Sequence, residues 1–176
     1  MKTLAHCRKL PGLPGEGERP RQYSATGQGM HREGYVVEFT PNTGQPWVGN
    51  FQPGVTSFTD LVEFPHSDSV LVVANGQGYL VDFQSGNLVA QYESDIDFLW
   101  TNPAAELVIA GTVTDFLAFR GAAKVWCTRR ISWDGFRNLA VVGNELTGEA
   151  WCFDDSWHVF SVDLADGKVT GGSYYE

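Results

Sequence analysis

The chain has 176 residues, of which 43% are hydrophobic and 13% aromatic, and its formal net charge is −9. This composition excludes an intrinsically disordered protein, because disorder requires low hydrophobicity, and the longest apolar run, residues 70–74, is too short to span a membrane. An acidic protein repels nucleic-acid phosphates, so the charge disfavours nucleic acid as a partner and suits either a basic protein or simple solubility.

The first 29 residues differ from the rest of the chain. They are rich in proline and glycine, show no apolar periodicity, and carry five basic side chains against two acidic ones. Such a stretch predicts a disordered basic arm over 1–29, or a start codon assigned too early, with Met30 as the alternative start. No apolar segment typical of a secretory signal stands here, so we expect a cytoplasmic protein with one folded domain over 30–176.

From residue 35 onward, short apolar segments alternate with polar turns, which predicts β-strands almost to the end of the chain. The segment 58–62 is compatible with one turn of helix. The predicted strands, grouped by repeat, are 35–39 and 46–51; 56–64, 69–74, 79–83 and 88–92; 96–100, 107–110, 116–119 and 125–128; and 138–142, 147–153, 157–164 and 168–174.

Three hairpins have nearly the same sequence, at residues 37–45, 81–87 and 162–168, and 116–124 is a degenerate fourth copy. Each has a glycine in its turn, where a tight hairpin needs a residue that tolerates positive φ. The spacing averages about 42 residues, within the ~40–45 typical of four-stranded propeller blades. We therefore expect hairpin turns at 40–44, 84–86 and 165–167.

The repeat predicts an all-β fold of antiparallel four-stranded meanders in an incomplete, propeller-like stack. Three full repeats follow a half-repeat at 35–51, which is less than the four blades of the smallest ring. A β-sandwich or a partial barrel is the alternative. An open stack leaves strand edges unpaired, and the edge at 168–174 has one charge and two glycines, so we expect association there.

Aromatic and glycine positions near the C-terminus carry a family resemblance. Residues 125–172 resemble a group of small uncharacterised bacterial proteins that are similar to WD40-like and other β-propeller repeats. The resemblance implies a repeated β fold and, by association, an immunity-type role, and it transfers no catalytic residue. The matching positions are 130–135, 148–151, 157, 160–164, 167–169 and 171–172.

Cysteine spacing predicts neither a disulfide framework nor a zinc knuckle. Cys127 and Cys152 stand in apolar contexts and are expected to be buried free thiols. No phosphate-binding glycine loop and no nucleophile elbow stand in the sequence, so we predict no cofactor and, on balance, no enzyme.

A metal site is the alternative interpretation of Asp154, Asp155 and His158. In a strand, positions 155 and 158 point to opposite faces, and no second histidine is near. Because metal sites need three or four converging ligands, a polar hairpin turn is the favoured interpretation and no metal is predicted.

A basic and aromatic surface is the candidate binding site. Lys124, Trp126 and Arg130 would share one face of a regular strand, and Trp133 and Arg137 follow. Arginine and tryptophan are enriched in binding hot spots. The alternative is that Trp126 packs between repeats.

The sequence therefore predicts a non-catalytic protein-binding module of a toxin-neutralising (immunity-type) or scaffold kind, with a protein partner or a second copy of itself on this surface. The alternatives are an enzyme of unrecognised type and a small-ligand binder at the repeat axis.

Overall fold

The computed structural model describes residues 6–27, 31–64 and 66–174, and over these residues the protein is entirely β. Sixteen strands in this part of the chain form four four-stranded sheets. The chain divides into two compact units, Met1–Ile96 (unit 1) and Asp97–Glu176 (unit 2). The predicted all-β architecture of four-stranded repeats is confirmed, and residues 58–62, which are also compatible with a helical turn by sequence, lead into a strand instead.

The first sheet of unit 1 corrects the prediction for the N-terminal segment. Two short strands from 1–29 flank the predicted hairpin in the order β1-β3-β4-β2, with β1 antiparallel to β3 and β2 parallel to β4. Residues 7–9 and 21–23 therefore complete the half-repeat instead of forming a disordered arm. The proposed alternative start, Met30, lies outside the described residues. The four strands are β1 (Cys7–Lys9), β2 (Arg21–Tyr23), β3 (Tyr35–Phe39) and β4 (Trp47–Phe51).

Stacked aromatic rings explain why the short strand β2 is held. The Tyr23 ring stacks on Phe51 at a centroid distance of 4.5 Å, and Phe39 stacks on Trp47 at 4.1 Å. The Tyr23 hydroxyl also donates to the carbonyl of Gly86 at 2.7 Å. Burial of such rings offsets the ordering of a three-residue strand that local propensity does not favour.

The second sheet of unit 1 is a simple antiparallel meander. Its two central strands are buried on both faces, as their nearly continuous apolar sequences indicate, and its edge strands are more exposed. The four strands are β5 (Asp60–Glu63), β6 (Ser69–Ala74), β7 (Gln77–Asp82) and β8 (Leu88–Tyr92).

Unit 2 consists of two further meanders, and its core lies on their buried faces, where Phe116 and Phe160 stack at 5.8 Å. The third sheet contains β9 (Phe98–Asn102), β10 (Leu107–Gly111), β11 (Phe116–Arg120) and β12 (Ala123–Cys127). The fourth sheet, called the C-terminal sheet below, contains β13 (Phe136–Val142), β14 (Glu145–Trp151), β15 (Trp157–Asp163) and β16 (Val169–Gly171).

The repeated hairpin sequence corresponds to a repeated turn. In the β7–β8 turn, the Gly86 amide donates to the carbonyl of Asp82 at 2.7 Å, and in the β15–β16 turn the Gly167 amide donates to the carbonyl of Asp163 at 2.8 Å. In both turns the aspartate carboxylate also accepts a backbone amide of the turn. Both glycines have positive φ, 70° and 74°, so the predicted reason for glycine is confirmed.

Candidate functional site

Three aromatic rings and an arginine gather where three loops of unit 2 meet. This aromatic–arginine cluster consists of Arg130, Trp133, Phe153 and Tyr174. The Trp133 ring lies 5.4 Å from Phe153 in an edge-on arrangement and 4.9 Å from Tyr174. The Arg130 guanidinium carbon lies 5.3 Å from the Trp133 centroid and 4.7 Å from that of Tyr174.

Backbone hydrogen bonds hold the loops of the cluster together. The Trp133 amide donates to the carbonyl of Trp151 at 3.1 Å, and the amide of Ser173 donates to the carbonyl of Ile131 at 2.9 Å. Arg130 is fixed in turn, because its Nε and Nη2 donate to the carbonyls of Ser132 at 3.0 Å and Trp133 at 2.7 Å. The cluster is therefore preorganised, although Phe153 is 70% exposed.

The outer face of the C-terminal sheet extends this chemistry. The Arg137 guanidinium carbon lies 4.3 Å above the Trp157 ring, and Arg137 also pairs with Glu149 at 2.9 Å. Hydrogen bonds from Arg137 and Asn138 lower the pKa of the Glu149 carboxyl. Val159 stands opposite Glu149 in the β14–β15 register and is 75% exposed. A charged pair thus borders an exposed apolar side chain.

The predicted binding residues do not form one strand face. β12 ends at Cys127, and its pairing with β11 shifts register between Ala118 and Phe119, so Arg130 lies beyond the strand. Lys124 is exposed on β12. The structure instead separates the set into four places: Lys124 on β12, Trp126 against the core of unit 2, Arg130 with Trp133, and Arg137 over Trp157.

Trp126 has a structural position. It is partly buried against the core of unit 2, and its indole N–H donates to the carbonyl of Leu164 at 3.2 Å. The Trp126 ring also packs against Gly167, where an added Cβ would lie only 2.8 Å from ring atoms. This is the arrangement that the alternative interpretation describes, in which the tryptophan packs between neighbouring repeats.

The C-terminal sheet edge is occupied by a side chain. Arg129 donates from Nη2 to the carbonyl of Gly171 at 3.0 Å and from Nη1 to the carbonyl of Tyr174 at 3.1 Å. An edge carbonyl that already accepts a hydrogen bond is a poorer template for another chain. The edge at 168–174 is thus better protected than its own sequence indicates.

The β14–β15 turn brings together three potential metal-ligand side chains. Ligand atoms of Cys152, Asp154 and His158 all lie within 4.8 Å of one another. The sequence pattern pointed to Asp154, Asp155 and His158 and did not indicate Cys152. Residues 152 and 158 become neighbours only because the pairing of Trp151 with Trp157 closes the turn. Cys152 is buried as predicted, whereas Cys127 is exposed, which corrects that prediction: β12 is an edge strand.

A cleft of about 440 Å³ lies in unit 1, lined by residues that include Arg21, Tyr23, Gly86 and Leu88. The Arg21 side chain is engaged: it donates to the carbonyl of Ser85 and lies 4.5 Å over the Trp47 ring. Burial raises the pKa of Tyr23 to about 12, so its hydroxyl holds its proton at neutral pH. The charged group of the cleft, Arg21, is therefore bound to other parts of the protein, and Tyr23 is a poor general acid.

Neither a protein-family model nor a curated protein sequence matches this chain. The described residues contain no apolar helix long enough to cross a membrane.

Proposed function

We propose that this protein is a non-catalytic protein-binding module whose contact surface is the aromatic–arginine cluster together with the outer face of the C-terminal sheet. The observation that carries the proposal is the exposure of Phe153 (70%) and Val159 (75%) beside arginines stacked on tryptophans. Exposed apolar side chains rimmed by polar groups mark interaction sites.

The chemistry of this surface suits a protein more than a small molecule. Tryptophan, tyrosine and arginine dominate binding hot spots because they supply large contact areas and hydrogen bonds from few side chains. Arg130 and Arg137 are held by their own hydrogen bonds, so a partner would not have to order them. The mixed charge of the surface, with Glu149 beside Arg137, favours a partner that presents both signs.

We also propose the kind of binding protein. The family resemblance and the acidic composition favour a bacterial, cytoplasmic protein of toxin-neutralising or scaffold type with propeller-like repeats. A second copy of the chain is the alternative partner, and the unit 1 cleft is the place to look for a small ligand.

A pull-down from cells that naturally express the protein, combined with light scattering, tests the proposal. Four tagged versions are compared: wild type, Phe153→Asp, Val159→Asp, and a control, Val55→Asp, whose side chain is 79% exposed in unit 1. We expect the wild type and the control to retain one protein that both test variants lose at least tenfold, with all four melting cooperatively.

Two outcomes decide against the proposed partner. A wild-type dimer in light scattering that Phe153→Asp or Val159→Asp dissociates would assign the surface to self-association. Equal retention by all four versions, with a monomer throughout, would remove the surface as a binding site.

A further inference from the structure

We infer that the β14–β15 turn binds a divalent transition-metal ion, with zinc the best match, through Cys152 Sγ, the Asp154 carboxylate and the His158 imidazole. The three ligand atoms lie within 4.8 Å of one another. The same turn carries Phe153 of the aromatic–arginine cluster, but the metal site is argued from its three ligand atoms and does not rest on the proposed protein-binding function.

The backbone fixes the two ends of the site. The Cys152 amide donates to the carbonyl of Ser156 at 2.9 Å, and the Asp155 amide donates to the carbonyl of Cys152 at 3.0 Å, which closes a tight turn. His158 is one residue into β15 from the Trp151–Trp157 pair and is held opposite Ala150. His158 thus lies within β15, and Cys152 is the first residue after β14, held by its own backbone hydrogen bonds to the turn.

The donor set is the one that zinc prefers. Thiolate sulfur, imidazole nitrogen and carboxylate oxygen bind zinc at about 2.3, 2.0–2.1 and 2.0–2.2 Å, so tetrahedral geometry separates the donor atoms by roughly 3.4 Å. The three donor atoms are at most 4.8 Å apart, so they would have to move only slightly closer together to bind one ion. The Asp154 side chain is exposed and can rotate to adjust its own distance to a bound ion.

Ser156 already joins two of the donors. Its hydroxyl donates to Asp154 Oδ1 and lies 2.8 Å from His158 Nε2, and its amide donates to Asp154 Oδ1 at 3.0 Å. A small polar atom therefore occupies the space between the donors, and a metal ion would replace its contact with the imidazole.

The charge and proton balance of binding is simple. The hydrated metal ion loses three of its water ligands and displaces the thiol proton of Cys152 to solvent. His158 binds as the neutral imidazole through a ring nitrogen that carries no proton, its one N–H proton residing on the other nitrogen, so that one metal–sulfur, one metal–nitrogen and one metal–oxygen bond form. A divalent ion with one thiolate and one carboxylate is neutral, which suits a site whose cysteine is buried. Three protein ligands leave a fourth position, on the side of the exposed Asp154, for water.

Cobalt(II) and zinc titrations of the reduced full-length protein test the site. We expect a thiolate-to-cobalt charge-transfer band that saturates at one equivalent and is displaced by zinc, and micromolar or tighter zinc binding by calorimetry. Cys152→Ser should abolish the band, and Asp154→Asn should weaken binding at least tenfold. The matched controls Cys127→Ser and Asp155→Asn should bind like the wild type.

Asp154→Asn keeps the test sound if Cys152→Ser fails to fold, because Asp154 is exposed and its replacement removes no core atom. The inference is overturned if the wild type shows no charge-transfer band, if it binds zinc only at millimolar concentration, or if Cys127→Ser removes the band while Cys152→Ser keeps it.

Discussion

The two units use the same four-stranded sheets but place their aromatic side chains differently. In unit 1 the rings of Tyr23, Phe39, Trp47 and Phe51 stack inside the core, and β2 pairs with β4, which is not the next strand along the chain. In unit 2 the C-terminal sheet is contiguous, and aromatic rings such as Phe153 lie at its surface with arginines. The difference shows that aromatic content alone does not separate packing from recognition; the neighbours of each ring do.

Of the predicted effects, we expect the largest from alkaline pH, which should lower the unfolding free energy of unit 1. Burial raises the pKa of Tyr23, Tyr35 and Tyr79 to about 12 from 10, and it also raises the pKa of the Cys7 thiol. All four lie in unit 1. Because the unfolded chain ionises first, the stabilisation from the three tyrosines is complete below about pH 10 and is lost as pH rises through about 12, and that from Cys7 begins to fall above about pH 9. Three shifts of this size correspond to several kcal/mol.

Urea unfolding at about pH 9 and about pH 11 measures this loss. Trp47 is the one of the six tryptophans that stands before residue 97, so the fluorescence difference between the wild type and a Trp47→Phe variant reports on unit 1. A Tyr79→Phe control should flatten the pH dependence even though it loses the hydrogen bond to the Gln52 carbonyl. An unfolding free energy of unit 1 that is equal at the two pH values would contradict the assignment of these tyrosines to a dry core.

Truncation of single rings is expected to separate the two aromatic sets. Tyr23→Ala removes a ring that is 5% exposed and should cost about 3–5 kcal/mol. Phe153→Ala removes one that is 70% exposed and should change the unfolding free energy by at most about 0.5 kcal/mol. Chemical denaturation of both variants checks the pair, and a small cost for Tyr23→Ala would restore the disordered arm as the better description.

The equivalent turn glycines give the smallest and sharpest comparison. Gly86→Ala and Gly167→Ala both place a side chain at positive φ, which costs about 1–2 kcal/mol. At Gly86 the new Cβ meets the flexible end of Arg21, whereas at Gly167 it meets the Trp126 ring at 2.8 Å. Because a packed ring yields less than an arginine, Gly167→Ala should cost about 1–3 kcal/mol more in thermal or urea unfolding. Equal costs would show that Trp126 is not packed there.

Of the sixteen strands in the described part of the chain, the sequence predicts fourteen, because their alternation and glycine turns are local properties. β1 and β2 escape prediction for the opposite reason. Each has three residues within a proline- and glycine-rich stretch, and only pairing with β3 and β4 makes them strands. A local pattern cannot report a partner that lies about 30 residues away.

The sequence indicates which residue types belong to the candidate site, but it does not show how their side chains are arranged. Arg130, Trp133 and Arg137 stand out as arginine and tryptophan in one segment. The end of β12 at Cys127 moves Arg130 off the strand, and Phe153 and Tyr174 join it only through the loops around Ser132 and Ser173. The Cys152–Asp154–His158 group depends in the same way on the closure of one hairpin.

The parallel strand β2 has a consequence for the order of folding. In the first sheet Arg21 is paired with Gly49 and Cys7 with Phe39. The long loops between these residues must therefore close before the contacts of the sheet can form. Every pairing of the C-terminal sheet joins consecutive strands. Since rates fall as the sequence separation of contacts grows, unit 2 should fold faster than unit 1. During refolding the surface of the C-terminal sheet would then form while β1 and β2 are still unpaired.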